Sequence, residues 1–206
     1  MRQMSRYIAF AALTAACVSC GDVVREGRSP VYLTIDKLTD SGGSNNFVLS
    51  DVLTLVTNGG SCSAATPCLT IKNDVAVVTL STSLKDITNP SSPNAPTANN
   101  DITMSRYHVV FKRADGRNVQ GVDVPFAFDG AMTGTVAAHQ AQTLALSFEL
   151  VRHIAKEESP LVQLISSASI IHTIAEITFF GKDRVGNDVS VTGTMSVNFG
   201  NFADTP

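Results

Sequence analysis

Between residues 31 and 200 the chain repeats one pattern: an apolar side chain at every second position. Leu144, Leu146, Phe148 and Leu150 alternate with Ala145, Ser147 and Glu149, and Val31, Leu33 and Ile35 alternate with Tyr32, Thr34 and Asp36. A period of two belongs to the β-strand, whose successive side chains leave opposite faces, so each such set defines one face to bury. Further strands are expected at Phe47 to Thr57 (one bent strand or two), at Ala76 to Leu84, and at Arg106 to Arg113 with Tyr107, Val109 and Phe111 inward. Val122 to Phe128 reads as an edge strand because Pro125 has no N–H to give a neighbour. Met132 to Ala138 reads as a short strand and Thr143 to His153 as a long one. The chain closes on a hairpin, Ala168 to Gly181 and Val189 to Phe199, around the turn Lys182 to Asp188. The expected fold class is all-β, an antiparallel sandwich of about seven to nine strands.

Two stretches interrupt the pattern. Residues 86–101 hold three prolines and five Asn or Asp after Asp86, which suits a long surface loop within a sandwich spanning 31–200, or a linker between two domains split near residue 95. Lys156 to Pro160 is a polar break, and Leu161 to Ser167 fits a helical turn as well as a short strand.

The order Ile102-Thr103-x-x-Arg106-Tyr107-x-Val109-x-Phe111-x-Arg113-Ala114-Asp115-Gly116 resembles the third strand and following turn of fibronectin type III and immunoglobulin-like domains. Ile177 to Asn187 is similar to the penultimate strand and D-x-x-G-N turn of bacterial immunoglobulin-like modules. These motifs cover about a quarter of the chain and imply topology rather than activity. The chain has no Trp, so the volume of the core Trp of such domains falls to Phe111, Phe148 and Phe179.

The first nineteen residues have the layout of a secretory signal: Arg2 and Arg6, an apolar run from Tyr7 to Val18, then small residues. The segment resembles a bacterial lipoprotein signal in two registers, with Cys20 in Cys17-Val18-Ser19-Cys20 as the preferred acylated residue and Cys17 in Thr14-Ala15-Ala16-Cys17 as the alternative. Neither register has the Leu usual three positions before the cysteine. The resemblance implies residues 20–30 as a lipid-anchored tether and 201–206 as a tail. It also implies attachment to a membrane through acyl chains, in the outer membrane where a cell has two, because Gly21 rather than Asp follows Cys20. Loss of residues 1–19 removes Arg2 and Arg6 and takes the net charge from −3 to about −5, which argues against a nucleic-acid partner.

With Cys17 and Cys20 assigned to the signal, Cys62 and Cys68 remain, and in an oxidising compartment their spacing most simply closes a small loop. No G-x-S-x-G or H-E-x-x-H occurs. Glu149 with His153, and His172 with Glu176, would meet on a helix, but on strands they stand roughly 13 Å apart, too far for proton transfer. Asn99, Asn100 and Asp101, or Asp183, Asn187 and Asp188, carry the oxygens a calcium ion takes, although turn chemistry explains both groups without a metal. Arg106, His108 and Lys112 form a cationic strip that suits an anionic partner or, more simply, protection of a sheet from edge pairing. These residues lead to an expectation of a non-enzymatic envelope module without cofactor that binds or scaffolds another envelope protein. An adhesin or glycan-binding module is the alternative.

Overall fold

The computed structural model describes residues 29–85 and 96–202. The expected signal at 1–19 with Cys17 and Cys20, the rest of the expected tether to residue 28, segment 86–95 and residues 203–206 lie outside the described residues.

The chain is all-β. Its strands are β1 (Val31–Asp40), β2 (Phe47–Asp51), β3 (Thr54–Val56), β4 (Cys68–Thr70), β5 (Asp74–Leu84), β6 (Ile102–Lys112), β7 (Phe128–Val136), β8 (Leu144–Val151), β9 (Ile171–Asp183) and β10 (Asp188–Gly200). A short helix, α1 (His153–Glu157), and a 3-10 turn at Leu161–Ser166 separate β8 from β9. One sheet has the order β1-β5-β8 and a second the order β2-β10-β9-β6-β7, while β3 and β4 form a small separate hairpin. Strands from either side of segment 86–95 share both large sheets, since β5 pairs with β8 and β2 with β10. The strand pairs are antiparallel except that β2 runs parallel to β10.

The two large sheets share one core. Val31, Leu33, Ala76, Val78, Leu80, Phe148 and Leu150 face Met104, Tyr107, Val109, Phe111, Ile177, Phe179, Val197 and Phe199 in a single buried cluster. Its centre is aromatic: Phe148 meets Phe179 edge-on at 5.3 Å and Tyr107 at 5.2 Å, and Phe111 meets Phe199 at 5.4 Å. Such edge-on pairs add about 1 kcal/mol each to the area they bury. Phe148 and Phe179 thus occupy the middle expected of them, joined by Tyr107 rather than Phe111.

Irregularities adjust the strand registers. The β1–β5 register shifts between Ile35 and Lys37, the β5–β8 register between Asp74 and Val75, and the registers of β6 with β7 and β9 between Met104 and Arg106. Each extra residue re-aims the alternation, so that Tyr107, Val109 and Phe111 continue inward after Met104.

Several expectations need correction. Val122 to Phe128 is no edge strand: Val122 is exposed, Val124 is fully buried, and the backbone N–H groups of Val122, Asp123 and Val124 all donate to the carbonyl of Val119. Gly121 at φ +75° and Pro125 break the extended path, and Asp123 accepts from the Val119 N–H at 3.1 Å, so alternating letters there form a compact turn. The edge is instead β7, which begins at Phe128 and ends at Val136 rather than running from Met132 to Ala138. Strand β8 stops at Val151, and α1 starts at His153, where the long strand was expected to end, and runs into the polar break. Where two readings stood open, Phe47 to Thr57 is two strands in different sheets, and Leu161 to Ser166 is helical, with Leu161 and Leu164 buried.

Candidate functional site

The sandwich has two unlike ends. At one, the chain enters through Pro30, whose carbonyl accepts from Lys85 N–H at 3.0 Å, and Val31 pairs with Leu84. The start of β6 and the end of β9 lie at this tether end, where Ile102 pairs with Asp183. The other end gathers Asp40, the start of β5, the end of β8 and the end of β10. Strand β5 has 11 residues, so at roughly 3.3 Å per residue the two ends are about 35 Å apart.

Exposed apolar side chains are divided unequally between them. Among the described residues, only Tyr32 and Val185 of the large exposed apolar side chains lie at the tether end, and the Lys85 ammonium sits 4.8 Å over the Tyr32 ring. The far end exposes Phe47, Leu49, Val75, Ile154, Ile170 and Ile174, with Val119, Val122 and Phe126 on the loop after β6. Phe47 separates two open clefts there. One, of about 570 Å³, runs between β2 and the start of β5 and is lined by Asp40, Asn45, Phe47, Leu49, Asp74 and Val75, among others. The second, of about 550 Å³, is lined by Asn46, Phe47, His172, Ile174, Ser196 and Asn198.

Under the first cleft lies a charged pair. Lys156 of α1 is 1% exposed, and its Nζ stands 3.0 Å from Asp74 Oδ2 and donates to the Asp51 carbonyl at 2.8 Å. Burial pushes the Asp74 carboxyl above its ordinary value, while the Lys156 charge and the Ser50 hydroxyl pull the other way. Next to it His153, through both its backbone N–H and Nδ1, holds Asn73 Oδ1 and fixes the start of α1 against the cleft rim.

At the tether end Asp101 joins three connections. His139 Nδ1 donates to Asp101 Oδ1 at 2.7 Å, Arg184 pairs with Oδ2 at 3.2 Å, and Arg184 N–H donates to the Asn99 carbonyl. Burial opposes ionisation of Asp101, but the hydrogen bonds from the His139 ring and backbone, with the nearby Arg184 charge, outweigh it and hold the pKa below the ordinary value. This is the one place where the fold brings a histidine and a buried carboxylate together among the described residues. His139 Nε2, the nitrogen a general base would use, accepts from Gln140 Nε2 at 2.9 Å.

The sequence-predicted residues fall elsewhere. Glu149 lies 3.6 Å from Arg152, Glu176 pairs with Lys112 at 2.8 Å, and His172 donates to Asn198, so neither His–Glu pair meets. The cationic strip carries its own counter-ions: Arg106 and His108 reach Asp129 at 3.0 and 3.2 Å, and Lys112 reaches Glu176. Arg106 also lies 3.6 Å over the Phe180 ring. Asn100 closes a cap with Thr97, Asp183 accepts from Asn187 N–H and Nδ2 at 2.8 and 2.7 Å, and Asp188 pairs with Lys182. Among the described residues no group of three or more His, Cys, Asp or Glu is placed to hold a metal. No helix among them is long and apolar enough to cross a membrane. Cys62 and Cys68 form a disulfide that closes the loop between β3 and β4.

No family model, curated protein or solved structure matches the chain.

No sequence pattern singles out Lys156, Asp74 or His139 for a site, and Asp101 stands out only as a calcium candidate. Lys156 sits in a polar stretch that looks solvated, and its partner is 82 positions away by sequence number. Asp101 was marked for calcium, whereas its partner His139 carries no local signal at all.

Proposed function

We propose that this chain is a lipid-anchored envelope protein, acylated at Cys20 (Cys17 in the alternative register), whose immunoglobulin-like sandwich holds a binding surface away from the membrane for another envelope protein. The observation that carries this reading is the uneven distribution of exposed apolar groups. An anchor before Ser29 attaches at the end that exposes Tyr32 and Val185, and the end about 35 Å away carries the two clefts around Phe47. Contiguous exposed apolar groups beside clefts mark sites that associate with other molecules.

Strand order supports the immunoglobulin-like part. A three-stranded sheet of the first, second and fifth long strands faces a sheet in which the last strand lies between β9 and β2. The chain changes large sheet between β1 and β2, β2 and β5, β5 and β6, β7 and β8, and β8 and β9, as in sandwiches whose third strand carries an added neighbour in the sheet of the last two strands. A binding role accords with His139, whose free nitrogen is occupied by Gln140.

The test is affinity capture of the lipidated protein from its native membranes. One discrete partner is expected, retained with Tyr32→Asp and lost with Leu49→Asp. Recovery of the wild type without a partner, or equal loss with both variants, contradicts the reading.

A further inference from the structure

Lys156 is among the largest fully buried side chains of the described residues, although lysine is among the residues least often buried. Its Nζ has two polar neighbours, the Asp74 carboxyl at 3.0 Å and the Asp51 carbonyl at 2.8 Å. Asp74 Oδ2, the oxygen turned toward the amine, is sealed from solvent and lacks a hydrogen bond of ordinary geometry. Ser50 Oγ is also sealed, and lies close enough to the Asp74 carboxyl to lower its pKa. A sealed amine on α1 and a carboxyl group on β5, with its inner oxygen sealed and the rest facing the cleft, are thus held together.

We propose that Lys156 and Asp74 condense to a side-chain amide, an isopeptide cross-link that joins α1 to the start of β5. A buried ion pair that burial disfavours can discharge by moving one proton from Nζ to the carboxylate, leaving a neutral amine and a carboxylic acid. The nitrogen lone pair then attacks Asp74 Cγ. The C–N bond forms, one carboxyl oxygen leaves with its own proton and one from the nitrogen, and the product is an amide plus one water; nothing is oxidised or reduced. The Asp51 carbonyl accepts one N–H and so turns the lone pair toward Asp74. The fold supplies proximity, which converts a reaction too slow between free side chains into an intramolecular one. The cleft that Asp74 lines gives the water a way out.

Tryptic digestion of the reduced, denatured mature protein, read by mass spectrometry, tests the bond. The expected product is a branched peptide in which Lys156 resists cleavage, lighter by one water than its two linear parts. Lys156→Arg and Asp74→Ala chains are expected to lack it and to migrate more slowly than the wild type in a denaturing gel. The wild-type digest decides alone should either variant fail to fold. Recovery of the two linear peptides in full yield overturns the proposal.

Discussion

The ring of Tyr107 fills the space above Gly130 on the neighbouring strand: a Cβ built on Gly130 falls 2.1 Å from Tyr107 Cζ and 2.3 Å from its hydroxyl oxygen. Tyr107 is buried and edge-on to Phe148 and Phe128, so the ring has nowhere to retreat. The glycine in β7 is therefore a consequence of the aromatic centre of the core. Gly130→Ala is expected to destabilise the fold by about 2 kcal/mol through overpacking. In the double variant with Tyr107→Leu the loss falls short of the sum of the two single losses, measured by urea denaturation.

Phe179 is fully buried and touches both Phe148 and Tyr107. Phe179→Ala removes the middle of the cluster and is expected to cost about 4 kcal/mol. Tyr32→Ala, at an exposed ring, is expected to change stability by less than about 0.5 kcal/mol. Equal losses at the two sites would mean that the sheets do not pack on this cluster.

Asp101 makes stability depend on acid. Its pKa in the folded chain lies below the ordinary value of 3.8, so its contribution is complete above that value and is lost as pH falls through the folded pKa. Asp101→Asn is expected to cost about 2 kcal/mol at neutral pH, the scale of a hydrogen bond to a charged group. The gap between variant and wild type narrows as pH drops below 3.8. A gap that is constant in thermal melts across that range contradicts the assignment.

The disulfide ties Cys62 to Cys68, six positions on, in the hairpin that stands apart from both large sheets. Closing so short a loop contributes about 2 kcal/mol by chain entropy. The effect is expected to be local. Reduction accelerates amide exchange at Thr54–Val56 and Cys68–Thr70, which pair only with each other, while exchange in β9 and β10 is unchanged.

What the sequence revealed follows from how each feature is encoded. Long strands with strict alternation, such as β6, β9 and β10, are legible because burial of one face imposes the period locally. Only the second half of β7 was legible, because Gly130 and Gly134 replace side chains with close approaches to Tyr107, Leu144 and Leu146 that only the assembled sandwich defines. The region 122–128 failed in the opposite sense: its letters alternate, but Gly121 and Pro125 fix a backbone that turns. The cleft residues Phe47 and Leu49 belong to a strand that the sequence does show, but that they face outward while Val48 and Ser50 are buried is set by how β2 docks on β10. The pairs Lys156 with Asp74 and His139 with Asp101 join distant positions through tertiary packing, which no spacing rule encodes.

The most direct test of a membrane-distal binding surface is photo-cross-linking in intact cells, with the reactive amino acid placed at position 49 or at position 32. The account predicts one discrete adduct from position 49, identifiable by mass spectrometry as a single envelope protein, and none from position 32. No adduct from position 49, or the same adduct from both positions, would contradict it.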